Sequence, residues 1–157
     1  MNVQNFVHNQ VLPAAFPLLP SSMDSPASRA MLIAIGLQEP RFTHRRQIGG
    51  PARGWWQFEQ GGVNGVLNHA QSKIPIGAVL DMIGYDHEPA TSYNAIADND
   101  ILACCYARLL LWTHPKALPL IANYEYAWAY YTWLWRPGAP HRETWDAFYD
   151  EAWALNL

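Results

Sequence analysis

Glu39 is the residue whose placement most suggests chemistry. Ser25 followed by Pro26 reads as a helix start, a hydroxyl cap and then a proline at the first helical position. The apolar residues Ala27, Ala30, Met31, Ile33, Ala34 and Leu37 follow at helical spacing. Pro40 forbids continuation and pushes the residue before it out of the α region. The spacing therefore predicts a helix over 26–38 with Glu39 at its C-terminal end. A carboxylate there faces the negative end of the helix dipole, and a strongly apolar helix brings partial burial. Both disfavour the charged form, as a general acid working near neutral pH requires. The plainer alternative is an ordinary glutamate paired with Arg41 or Arg45.

Other candidates lie downstream. Fifteen residues after Glu39 comes Gly54-Trp55-Trp56-Gln57, then Glu59. Arg41, Arg45, Arg46 and Arg53 concentrate positive charge within 13 positions, which suits either an anionic ligand or a solvated loop balanced by Glu39 and Glu59. Residues 124–135 hold seven aromatics: Tyr124, Tyr126, Trp128, Tyr130, Tyr131, Trp133 and Trp135. About half must face the core, and the rest are free to stack on a ligand. His44, His69, His87, His114 and His141 stand apart from one another without zinc spacing, so no metal or other cofactor is expected. No glycine-rich loop follows a strand, and Ser21, Ser22 and Ser25 lack a nucleophile-elbow context.

The elements that must position these residues read as mainly α. Residues 4–19 predict one or two short amphipathic helices broken by prolines. Six of the ten glycines fall within 41–66, which predicts loop with a short extended piece at Trp55–Phe58. Helices are expected over 74–84, over 100–113 with Asp98 or Asn99 as cap, over 120–135, and from Arg142 to Ala154. Tyr85–Tyr93 reads as a polar loop. The whole, 1–157, is one domain, with 1–24 as an N-terminal extension packed on it and 136–157 as a C-terminal helical segment.

Composition narrows the function. The 157 residues carry a formal net charge of −3, which argues against general nucleic-acid binding. The most apolar stretch, Ile101–Trp112, contains Arg108 and is too short to span a bilayer. No charged n-region or cleavage site marks a secretory signal. The adjacent Cys104 and Cys105 read as buried thiols of a protein made in the cytoplasm.

Four segments in order carry a family resemblance. AIGLQEPRF at 34–42, GWWQ at 54–57, ADNDILACCYARLLL at 97–111 and Ala129-Tyr130-Tyr131 resemble the lytic transglycosylases of the lysozyme-like superfamily. The resemblance covers about two-thirds of the chain. It implies a lysozyme-like fold and cleavage of the β-1,4 bond between muramic acid and glucosamine in peptidoglycan. It implies that Glu39 is the single catalytic acid/base, that Gln57 lines the sugar site with Trp55 and Trp56 beside it, and that Tyr130 contacts the glutamate. Three residues depart from the pattern: Pro40 stands for serine, Trp56 for methionine and Tyr131 for asparagine.

Two alternatives follow. A true muramidase would use a second carboxylate, for which Glu59 is the best placed and Asp86 and Glu88 are weaker; the plain reading of Glu59 is an ion pair with Arg53. A virion structural or glycan-binding protein would keep the cleft without activity, and Pro40 favours it. The style of the loops resembles phage-encoded forms, endolysins included. Delivery to the wall would then rely on a phage particle or a holin-type membrane-permeabilising partner.

Overall fold

The computed structural model describes residues 2–39 and 41–157. Pro40, on which the helix-stop and serine-replacement readings rest, lies outside the described residues. Helices make up 63% of the structure and no strand forms among the described residues. None of these helices is long and apolar enough to cross a membrane.

The chain opens with α1 (Val3–Phe6), a π turn at Val7–Val11 and α2 (Leu12–Ala15), then 3₁₀ turns at Phe16–Leu18 and Ser21–Met23. Pro13 does not break this segment. It falls in the first turn of α2, where its missing N–H is tolerated, and the wider π turn ahead of it absorbs the irregularity. Val7, Leu12 and Ala15 are fully buried, so the extension is part of the core.

Helix α3 (Pro26–Gln38) matches its predicted bounds. Ser25 Oγ accepts the N–H of Ser28 at 3.1 Å, and Ser28 Oγ accepts the N–H of Ser25 at 3.0 Å. This capping box fixes the start. From Ala30 to Ile35 the side chains are wholly buried, so α3 is a central helix wrapped by neighbours. It packs on α7 (Asp100–Trp112) and most extensively on α9 (Arg142–Ala154). Asn99 caps α7 by accepting the N–H of Leu102 at 3.0 Å. Trp145 and Tyr149 of α9 are fully buried, which makes the C-terminal helix a wall of the core.

Two helices occur where loop was expected. The first is α4 (Gln60–Asn68), which contains three glycines. Gly61 and Gly65 face open space while Val63 and Val66 are fully buried, so two valines anchored in the core outweigh poor helix propensity. The second is α6 (Pro89–Ile96), begun by a proline at its first position and held by buried Ser92 and Ile96. Between them lies α5 (Lys73–Ile83). The connector after α7 leads to α8 (Tyr124–Trp135), shorter at its start than expected because residues 120–123 form a turn.

The extended piece at Trp55–Phe58 is instead a turn, flanked by isolated bridges of Arg53 to Arg46 and to Phe58.

Candidate active site

Glu39 caps α3 with an extended backbone (φ −115°, ψ 103°), and its N–H still donates to Ile35 O at 2.8 Å. The chain then folds straight back. Phe42 donates its N–H to Gly36 O at 2.9 Å, and its ring lies where a Cβ on Gly36 would sit. Only glycine at 36 permits that approach. Phe42 meets the Trp55 and Trp56 rings edge-on at 5.9 and 6.0 Å. The position of Glu39 is thus set by a packed aromatic cluster rather than by a free loop.

The Glu39 side chain is half-buried on the wall of a cavity of about 1050 Å³. Gln57, Glu59, Tyr131, Trp133 and Trp135 line the same cavity. Burial pushes the Glu39 carboxyl above its ordinary range. A hydrogen bond from Tyr131 Oη–H to Glu39 Oε1 opposes that rise. Burial and the neighbouring carboxylate push the Tyr131 phenol far upward, so it remains a donor. Tyr131 is itself clamped by stacking on Trp145, with ring centroids 5.2 Å apart and planes 8° apart.

This exchanges the expected roles of two tyrosines. Tyr130 does not contact Glu39. Its hydroxyl donates to Leu111 O at 2.9 Å, and its ring stacks on His114 at 3.8 Å, in a neighbouring cavity. The signal for Tyr131 lay in the helix phase. It falls three residues after Trp128 and four before Trp135, and both of those rings pack against it.

The two tryptophans of the GWWQ segment also differ from expectation. Trp56 is fully buried, and its Nε1–H donates to Leu32 O at 2.8 Å. Trp55 is 6% exposed, with the Arg45 guanidinium 4.0 Å above its ring. Both are core residues behind the cavity rather than its lining, because the turn directs their rings onto α3 and Phe42. Gln57 does reach the cavity. Its backbone is left-handed (φ 52°), and its Nε2 donates to His44 O at 3.2 Å and to Gly54 O at 3.0 Å. The aromatic surface offered to the cavity comes from α8 instead. Trp133 is 54% exposed, and Trp135 donates its Nε1–H to Trp56 O at 2.8 Å.

The arginines are engaged elsewhere. Arg45 forms a bidentate pair with Asp100 at 2.8 and 2.9 Å, and Arg46 pairs with Asp98 at 3.0 and 3.1 Å. Arg53 donates to Gly50 O and Ala52 O, and Arg41 lies over the Phe148 ring. The loop is therefore balanced by Asp98 and Asp100, not by Glu39 or Glu59. Glu59 is exposed at the start of α4 without a capping hydrogen bond. Among the described residues no cluster of His, Cys, Asp and Glu is arranged to hold a metal ion.

Comparison with protein-family models, with curated proteins and with solved structures gave no match.

Proposed function

We propose that the protein is a peptidoglycan-cleaving glycosidase with a lysozyme-like fold, acting as a lytic transglycosylase through Glu39. The observation that carries the reading is the Glu39–Tyr131 pair on the wall of the large cavity: a half-buried carboxyl with a raised pKa, held by one phenol donor. The raised pKa keeps Glu39 protonated at a pH where an exposed glutamate is ionised. Its proton goes to the glycosidic oxygen as the bond to the muramic anomeric carbon breaks. The resulting carboxylate then takes the proton of the muramic acid's own C6 hydroxyl, whose oxygen closes on that carbon to give an anhydro sugar. Tyr131 steadies the carboxylate in the second step. Trp133 supplies an apolar face for a sugar ring, and Gln57 a polar edge.

A second reading is supported by Glu59, which lines the same cavity. Acting as base on a water, it would make the protein a hydrolase. Digestion of purified cell walls, followed by chromatography of the released muropeptides, separates the two. Anhydro ends mark a transglycosylase, reducing ends a hydrolase, and no release at all refutes both.

A further inference from the structure

A second cavity of about 780 Å³ adjoins the first, and His69, Thr113 and Trp133 line both. Its inner wall holds Arg108 of α7, the residue that interrupts the most apolar stretch of the sequence. Arg108 is 2% exposed. Its Nε–H donates to Met23 O at 2.8 Å, and its guanidinium lies 5.4 Å from the centre of the Trp112 ring. Its Nη1 group is buried with no hydrogen-bond partner. The nearby carboxylate of Asp24 is committed to Arg29 through bonds of 2.7 and 2.8 Å. Burial lowers the Arg108 pKa to about 10, which still leaves it charged at neutral pH. Asp24 acts on Arg108 only through its charge, while its oxygens bond Arg29, so the buried Nη1 group still lacks an acceptor, and an oxyanion from outside is its natural complement.

The rest of the lining has the same character. Lys116 is exposed at the rim and His114 stands beside it. His114 Nδ1 accepts the N–H of Lys116 at 3.1 Å, so the neutral ring carries its proton on Nε2 as a donor. No Asp or Glu lines this cavity among the described residues.

We infer that the Arg108–His114–Lys116 cavity is a carboxylate-binding subsite that receives the peptide stem of a glycan strand lying along the Glu39 cavity. The inference rests on the glycosidase reading for the identity of the strand. The carboxylate itself is selected by the buried guanidinium, the imidazole donor and the rim ammonium.

The test is a binding titration that needs no turnover, made with the native chain and with Glu39→Gln. The probes are N-acetylmuramyl-tetrapeptide with free carboxyls, its methyl ester, and inorganic phosphate. Indole ¹H–¹⁵N shifts of Trp112 and Trp133 report occupancy. The free acid is expected to bind at least tenfold more tightly than the ester, in both proteins. Lys116→Gln, a rim change that leaves the core untouched, should weaken the acid severalfold and leave the ester unchanged. Arg108→Gln, if folded, should abolish the preference. Equal binding of acid and ester, no effect of Lys116→Gln, or occupancy by phosphate without the muropeptide would each overturn the subsite. Wall cleavage without carboxylate preference refutes the subsite alone; carboxylate preference without wall cleavage refutes the glycosidase reading alone.

Discussion

Replacing Trp56 with alanine separates a core role from a ligand-facing one. The indole is fully buried, touches Phe42 edge-on, and donates to Leu32 O at 2.8 Å. Truncating a buried tryptophan costs roughly 3–5 kcal/mol from lost burial and the cavity left behind. The lost indole hydrogen bond adds about 1 kcal/mol. A domain of this size has only about 5–15 kcal/mol of stability in all. Each kcal/mol shifts the midpoint of a chain this long by about 2–4 °C, so Trp56→Ala should lower Tm by about 10 °C or more. Thermal unfolding followed by circular dichroism reads the shift, and urea unfolding reads the same loss at constant temperature. Affinity for glycan fragments, measured well below the lowered Tm, should stay within about twofold of the native chain. A Tm within about 3 °C of native together with lost glycan binding would refute the argument and return Trp56 to the cavity surface.

Further outcomes follow from the same geometry. Tyr131→Phe removes the donor that opposes the rise in the Glu39 pKa, so the alkaline limb of the pH–activity profile should move to higher pH; an unmoved limb would deny the contact a role. Because the folded pKa of Glu39 lies above its ordinary 4.5, stability is full below that pH and declines as pH rises through the folded value. Glu39→Gln should therefore match the native chain in acid and exceed it at neutral pH, read as Tm against pH. Gly54→Ala places a Cβ 2.7 Å from the Ile96 side chain at a φ of +76°, and should lose roughly 1–3 kcal/mol by urea unfolding. Cys104 and Cys105 are fully buried, and burial pushes both thiols up, so neither should react with an aromatic disulfide reagent until the chain unfolds.

The sequence made α3, α7 and α9 legible because each has a local signal at its start or an unmistakable apolar stripe. Ser25 and Asn99 cap α3 and α7, and Pro26 is the first residue of α3. It hid α4 because Gly61, Gly62 and Gly65 argue for loop locally, while the burial of Val63 and Val66 that forms the helix is tertiary. It hid α6 because Asp86, His87 and Glu88 look like loop and Pro89 reads as a breaker rather than a first helical residue. At the site, the place of Glu39 followed from the apolar helix before it. The inward turn of the Trp55 and Trp56 rings did not, since a motif of residue types carries no orientation. The exchange of Tyr130 for Tyr131 has the same origin: matching by sequence motif overrode the phase of α8, which places Tyr131 between Trp128 and Trp135.

As the proposed acid that breaks a glycan strand, Glu39 is open to direct assay. The most direct measurement incubates purified peptidoglycan with the native chain and with Glu39→Gln, then resolves soluble products by liquid chromatography and mass spectrometry. Anhydro-muropeptides are expected from the native chain, with release at least 10²-fold lower from a Glu39→Gln protein that remains folded. Equal release from the two proteins, or none from the native chain, would contradict that role for Glu39.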